Sequence, residues 1–363
     1  MKKVLITSVG SNVGGNFMLC LAHRRGEFYF IGTNLISETA FNYMCDEVHI
    51  VPRVADEAAF IAAHEKLIFD LKPDLVVAGR DQDVSALAKM KESDKFPHTI
   101  FLAPSQASAR VSNDKYHSFE FAEKYNLPFA VSAVTIADAK ALAEAAGYPL
   151  IAKPRMHGHA SKDVFIVRNE AELIASVEAG GFVIQEMIGQ KNAPEEYNPI
   201  SECGVPLYYS YAITDQISCQ ALIGHDGEVL YGIASLNYYS FGRSHKYEPI
   251  NDPKIIDVVK RYASALAEHG HFGPLNLQGK MDKNGDLKIY EINMRFTGAT
   301  QGRTVLGWTE VEYAVDYLFS AKHPEIDLSI AGKYVAVREP YAYALSLEEM
   351  SELERTGSWY AQR

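Results

Sequence analysis

The sequence predicts an α/β protein: an N-terminal parallel sheet with helices on both faces, followed by a two-lobed α+β unit. Three observations predict it. Residues 1–110 alternate short apolar runs with helical periodicity, the pattern of parallel strands joined by crossover helices. Residues 131–189 repeat that alternation on a smaller scale, and residues 205–295 are rich in strand-like segments joined by turn signals. With 47% hydrophobic residues over 363 positions, the apolar material suffices for about two or three domains of roughly 100–200 residues each.

The elements follow in order. Strand Val4–Ser8 precedes a helix from Asn16; strand Phe28–Gly32 precedes a helix over Ala55–Leu71; strand Asp74–Ala78 precedes a helix from Asp83. Phe101–Pro104 closes this first domain, 1–111. A second domain, 112–330, opens with a helix from Ser112 to Tyr125. Its small lobe, about 131–189, reads as a strand, an Ala-rich helix over Ala137–Ala146, strands Leu150–Lys153 and Val164–Val167, a helix over Glu170–Ala179 and strand Phe182–Glu186. Residues 205–250 read as a meander of Tyr-rich strands turning at Asp226-Gly227 and at Asn237. A helix over Pro253–His269 leads to a hairpin ending near Arg295, and a helix runs from Gly298 to about Phe319. Residues 331–363 form a C-terminal extension in which Ser346-Leu-Glu-Glu349 reads as a capping box.

Charge and composition exclude several functions. Lys plus Arg number 35 and Asp plus Glu 46, so the net charge of −11 repels a polyphosphate duplex, and no basic stripe offsets it. Nucleic acid is not an expected partner. Cys20, Cys45, Cys203 and Cys219 lie far apart without a CxxC pair, which disfavours a disulfide framework or zinc site and suits a reducing compartment. The N-terminal apolar run is too short for a signal core, and no segment approaches the roughly 20 apolar residues that span a bilayer. A cytoplasmic protein without membrane contact is expected, and a homodimer is possible.

The strand followed by Gly10, Gly14 and Gly15 invites a dinucleotide reading, but the spacing is not GxGxxG and the second strand ends at Thr33-Asn34 without a ribose-holding acid. A turn that lets the helix pack closely on the strand is the preferred reading. Gly79-Arg80-Asp81 places polar groups at a strand's carboxyl end, where open α/β sheets hold ligands; a plain surface loop is the alternative.

The segment PLNLQGKMDKNGDLKIYEINMR, Pro274 to Arg295, carries the chemistry. Asn284-Gly285 fits a two-residue type I′ turn, so Gln278 falls opposite Glu291 and Asn276 opposite Asn293. These four oxygen-bearing side chains then share one face, with Leu275, Leu277, Tyr290, Ile292 and Met294 on the other. One wet face of an antiparallel pair is the plain alternative. Asn is depleted in strands, however, and a carboxylate among amide oxygens suits Mg²⁺, which takes few protein ligands and fills its octahedron with water and phosphate. Gln278, Glu291 and Asn293 are the candidate metal ligands.

Lys115 in SNDK, Lys153 in YPLIAKP, Gln185-Glu186 in FVIQEMIG, Gln278, and Tyr290-Glu-Ile-Asn-Met-Arg295 resemble, in order and spacing, the ATP-grasp superfamily of carboxylate ligases over roughly residues 1–320. The EINMR segment is most similar to the branch of carboxylate–amine ligases and carbamoyl-phosphate-synthase-like enzymes. The resemblance implies a Rossmann-like domain ahead of a two-lobed ATP-grasp domain, with ATP and Mg²⁺ as cofactors. It places Lys115 on ATP phosphate, although Asp114 alone could balance this lysine at its helix start. Lys153 ends an apolar strand before Pro154 and suits the α- and β-phosphates as a point charge. Residues 154–163 would form a lid carrying Arg155 and Lys162, with His157 and His159 as lid surface; Asp163 departs from the glycine usual there. Gln185, Glu186 and Met187 correspond to the hinge that reads adenine.

Arg243 in FGRSHK and Arg295 are candidates for phosphate and the acyl group, and Arg303 for a substrate carboxylate; each could instead be a structural ion pair. The expected reaction activates a small-molecule carboxylate as an acyl phosphate and joins it to an amine or amino acid, with ADP released. Alternatives are a carbamoyl-phosphate-synthase-like enzyme using bicarbonate or carbamate, a non-catalytic nucleotide-binding module, and a nicotinamide oxidoreductase.

Overall fold

The structure, a computed structural model, describes residues 1–156, 158, 162–189, 203–206, 213–240, 243–320, 325–338 and 346–361. Seventeen strands form three sheets among these residues. The N-terminal sheet holds β1 (Lys2–Ile6), β2 (Phe28–Asn34), β3 (Glu47–Ile50), β4 (Leu75–Val77) and β5 (Ile100–Leu102), all parallel, in the order β3-β2-β1-β4-β5. Val4, Leu5, Ile6, Phe30, Ile31, Leu75 and Val76 are fully buried, because helices cover both faces and each strand can be apolar throughout. The chain moves outward from β1 to β3 and then returns to β4 on the far side of β1. That reversal makes the carboxyl ends of β1 and β4 the topological switch point of the sheet.

Strand β3 is not among the predicted elements, since EVHI carries two polar residues. Both are buried because they answer one another: His49 Nε2 lies 2.7 Å from Glu47 Oε1, and His49 Nδ1 lies 2.8 Å from the Ser358 hydroxyl. Ser358 belongs to the last strand, so the C-terminal residues return to the first domain. The helix Leu347–Thr356 is capped by Ser346 accepting from the Glu349 N–H, as the capping box predicts, and Leu353 is buried in the N-terminal core. The final strand, Ser358–Tyr360, then pairs antiparallel with β3 and covers the sheet edge.

The small lobe is an antiparallel sheet of β6 (Ser132–Ala133), β7 (Leu150–Pro154), β8 (Phe165–Val167), β9 (Phe182–Glu186) and β10 (Val205–Pro206) in the order β10-β8-β7-β9-β6. Helices Ile136–Ala146 and Glu170–Glu178 bury Leu142 and Leu173 against Leu150, Ala152, Val167 and Ile184.

The large antiparallel sheet orders β15 (Leu287–Asn293), β14 (Gly273–Met281), β11 (Ile213–Ile223), β12 (Val229–Ser240), β13 (Arg243–Ile250) and β16 (Ala336–Val337). Its apolar face carries Ile217, Cys219, Ala221, Leu275, Leu277 and Ile292, which share a core with Ile255, Val259, Tyr262 and Leu266 of the helix Pro253–Glu268. Asn237, predicted in a turn, lies inside β12 and is fully buried. The helix predicted over Ser112–Tyr125 is Lys115–Lys124, capped by Asp114 and preceded by an unpredicted helix, Gln106–Asn113, whereas the single helix predicted after Gly298 is a pair, Thr300–Thr304 and Glu310–Phe319, separated by Gly307 at φ 96°.

Candidate active site

Gln278 does fall opposite Glu291, and Asn276 opposite Asn293, but two offsets produce this register. The turn is not a two-residue one. Asp282 N–H donates to the Asp286 carbonyl at 2.8 Å around a loop of Lys283, Asn284 and Gly285, with Gly285 at φ 80°, and the first pairs are Met281–Leu287 to Gly279–Ile289. A β-bulge then leaves Tyr290 out of the pairing and shifts the register back by one. The bulge also corrects the face expected for Tyr290. Its hydroxyl donates to Gln216 Oε1 at 2.8 Å, which puts it on the polar face of the sheet with Ser218 and Asn276.

Glu291 is half-buried and accepts no hydrogen bond among the described residues. Asn293, 4% exposed, uses its amide nitrogen on Asn276 Oδ1 at 3.3 Å, and among the described residues no hydrogen bond engages its own oxygen or the half-buried Gln278. One carboxylate with two amide oxygens is a hard-oxygen donor set that fits Mg²⁺ completed by phosphate and water. Among the described residues no group of three His, Cys, Asp or Glu side chains offers a competing site.

The small lobe brings Lys153 to this face. Its ammonium donates to the Tyr290 carbonyl at 2.7 Å and lies 5.4 Å from the Tyr290 ring centre. Burial pushes the Lys153 ammonium down to about 7, with Glu291 opposing the shift and Lys115 reinforcing it. Lys115 opens its helix beside the lid start: a Cβ on Gly158 would fall 2.8 Å from its ammonium. Asp114 does not answer it, because Asp114 caps the helix and pairs with Arg155 at 2.7 Å. Two cations and a carboxylate thus converge where the small lobe meets the hairpin.

The hinge residues are placed by separate contacts. Gln185, buried, donates to Ser132 Oγ at 3.0 Å; Glu186 accepts from Lys288 at 2.7 Å and from the Val131 N–H at 2.9 Å, tying β9 to β15. Met187 follows, half-buried, and Lys162 is exposed. His157 and His159 lie outside the described residues, as does the side chain of Arg243, the first residue of β13.

Arg295 reaches out of the hairpin to the N-terminal domain, pairing with Asp81 at 2.7 Å and donating to the Phe296 carbonyl at 3.0 Å, while its buried Nε has no partner. Arg303 is fully buried in an ion pair with Glu310 and donates to Thr297 at 2.9 Å; its Nη1 has no partner. Sequence reasoning missed the polar face beyond the hairpin. Gln216, Ser218 and Gln220 on β11, with Ser235, Asn237 and Tyr239 on β12, alternate at a period of two, and Gln220 Oε1 is buried without a partner among the described residues. That alternation is the signal that could have found them.

The N-terminal glycines serve packing. A Cβ on Gly15 would fall 2.4 Å from the Phe41 ring, and one on Gly10 would fall 2.3 Å from Asn34 Nδ2, so the close approach of these side chains leaves no room for a Cβ at either position.

No family profile matches the chain, and no curated protein matches it. Solved structures do. The N5-carboxyaminoimidazole synthetase of Staphylococcus aureus aligns over 89% of this chain and 78% of its own at 14% identity, with a TM-score of 0.63. The L-amino acid ligase of Bacillus licheniformis aligns over 88% and 74% at 17% identity, TM-score 0.62. The biotin carboxylase domain dimer of the 2-oxoglutarate carboxylase of Hydrogenobacter thermophilus, solved with MgADP, ADP and bicarbonate, aligns over 91% and 72% at 15% identity, TM-score 0.64. The fold is the one the motifs resemble, that of the ATP-grasp enzymes.

Proposed function

We propose that this ATP-grasp chain is an ADP-forming ligase that activates a carboxylate as an acyl phosphate and joins it to an amine or amino acid. The observation that carries the reading is the meeting of Lys115 and Lys153 with Glu291, Gln278 and Asn293 across the junction of small lobe and hairpin. A lone carboxylate among amides, faced by two lysines that form no close ion pair among the described residues, is built for a polyanion bridged by a cation. Of the solved neighbours, one is an L-amino acid ligase and another a biotin carboxylase domain that holds MgADP, and both support the same reading.

In the first step the substrate carboxylate attacks the γ-phosphorus of ATP; the new O–P bond gives the acyl phosphate, and the bond to ADP breaks. In the second step the amine attacks the acyl carbon, inorganic phosphate leaves, and of the two protons the ammonium gives up one goes to phosphate and one to solvent. Bound at Glu291, Gln278 and Asn293, Mg²⁺ would neutralise phosphate charge and order the triphosphate. Lys153 and Lys115 hold the phosphates, Gln185 to Met187 border the adenine, and Arg295 faces the acyl oxygen with its free Nε–H. Residues 154–163, with Lys162, cover the site against hydrolysis. Arg243 and Arg303 are proposed as further anion contacts. The enzyme is proposed to be a cytoplasmic homodimer; among the described residues no helix is long and apolar enough to cross a membrane.

The test is ADP release with paired carboxylates and amines, read with product mass spectrometry. Release should require both substrates, and ¹⁸O from the acid should appear in phosphate. Bicarbonate as the sole carboxylate would indicate the carbamoyl-phosphate-like variant; MgATP binding without release under any pairing would leave only a nucleotide-binding module.

A further inference from the structure

Tyr290 is the residue that the hairpin's pairing skips, and a bulged residue gains no support from a cross-strand partner of its own. Yet the Lys153 ammonium rests on the Tyr290 carbonyl at 2.7 Å, and the Tyr290 ring centre lies 5.4 Å from the same ammonium. Carbonyl and side chain of one residue thus face one cation. Among the described residues the ammonium makes no other hydrogen bond, so its direction depends on where Tyr290 is held.

The holder lies two strands away. The Tyr290 hydroxyl donates to Gln216 Oε1 at 2.8 Å, and in the order β15-β14-β11 the ring crosses β14 to reach it, a span of about 10 Å at the ordinary strand spacing. Gln216 is held in turn, because its Nε2 donates to the Tyr239 hydroxyl on β12 at 2.7 Å. The amide is therefore set between two phenols, with each of its ends spent on one hydroxyl. Reversing the amide would only exchange which phenol donates, since a hydroxyl can do either; the link from β12 through β11 to the bulge stands in both cases. All three side chains are half-buried, at a depth where the loss of one partner is felt.

We propose that Gln216 is a positioning residue for the nucleotide: by holding the Tyr290 hydroxyl it fixes the bulge, and through the bulge it aims Lys153 at the triphosphate. It acts through Tyr290 and Lys153, not on the phosphates. The inference rests on the nucleotide-binding half of the ligase reading above.

The test is calorimetric titration of the full chain with MgATP at neutral pH, for wild type, Gln216→Leu, Tyr290→Phe, Lys153→Met and their pairwise combinations. Phenylalanine keeps the ring and loses only the hydroxyl. Gln216→Leu and Tyr290→Phe should each weaken binding by about three- to tenfold, the loss that one neutral hydrogen bond implies. Together they should cost no more than the larger single loss, because both remove the same bond. In the Lys153→Met background neither should cost anything further. A residue that merely supports the sheet would weaken binding equally with and without the lysine, and one that touched the nucleotide would add its loss to that of Tyr290→Phe. Should Gln216→Leu not fold, Tyr290→Phe with and without Lys153→Met decides by the same criterion. Unchanged affinity in the single variants, additive losses, or equal losses in the two lysine backgrounds overturn the assignment. A wild type that does not bind MgATP defeats the nucleotide reading and this inference with it; binding that Lys153→Met weakens and Gln216→Leu leaves unchanged defeats this inference alone.

Discussion

The Lys153 ammonium donates to the backbone carbonyl of Tyr290, the one residue that the hairpin's bulge leaves out of the pairing. The bulge does two things at once. It restores the register that sets Glu291 opposite Gln278, and it supplies the carbonyl on which the small lobe's lysine rests beside that carboxylate. The cation proposed to hold phosphate and the candidate metal ligand are therefore positioned by a single irregularity, on a hydrogen bond that a phosphate oxygen could replace.

Nucleotide binding should take up a proton above pH 7. Burial holds the Lys153 ammonium down to about 7, and a triphosphate between Lys153 and Lys115 reverses that balance. Calorimetry of MgATP binding at pH 8 in buffers of different ionisation enthalpy should show uptake approaching one proton, and affinity should fall by up to about tenfold per pH unit above 7. Lys153→Met should abolish the uptake. In the ligand-free protein the folded pKa lies below the ordinary 10.5, so the unfolded chain binds the proton more tightly and stability rises with pH from about 7 to 10.5; the variant should lose this slope.

Glu291→Gln should lower ADP release on the order of 10²–10³-fold while leaving the thermal midpoint within a few degrees of wild type, because the carboxylate accepts no hydrogen bond among the described residues. A variant that still turns over at the wild-type rate removes Glu291 from the metal site.

Much of this site was legible before the structure because strand pairing is arithmetic. Period two and a turn signal were enough to bring Gln278, Glu291, Asn276 and Asn293 to one face, although a three-residue loop and a bulge, each worth one residue, had to cancel for the reading to hold. Asn237 misled because Asn usually marks turns, and only the buried partners on β11 and β12 make it a strand residue. Strand β3 was invisible because its buried Glu47 and His49 depend on Ser358, which is more than 300 residues away in sequence. The Arg295–Asp81 pair joins segments more than 200 residues apart and leaves no local pattern. Local periodicity carries such information only where the partner is near in sequence.

Arg303→Met should destabilise the fold by about 3–5 kcal/mol in urea titration, since it strands Glu310 as an unpaired buried carboxylate. Arg303→Met combined with Glu310→Met should recover much of that loss. The double variant separates the two roles of this arginine. If its free Nη1 holds a substrate carboxylate, stability returns but the KM for that substrate stays raised; if the pair is only structural, both return.

Asp83→Asn should stabilise the protein at neutral pH. Burial raises the Asp83 carboxyl to about 6, against the pull of the Thr7 and Ser8 hydroxyls and of Arg80. Its folded pKa lies above the ordinary 3.8, so the folded state binds the proton more tightly, and stability is lost as pH rises from about 4 through 6. At pH 7.5 the charged group should cost on the order of 2–3 kcal/mol, taking about 1.4 kcal/mol per pKa unit. Asparagine keeps an oxygen for the Thr7 hydroxyl without the charge. The gain in urea midpoint over wild type should therefore be small near pH 4 and full near pH 7, and parallel profiles for the two proteins would remove Asp83 as a buried charge.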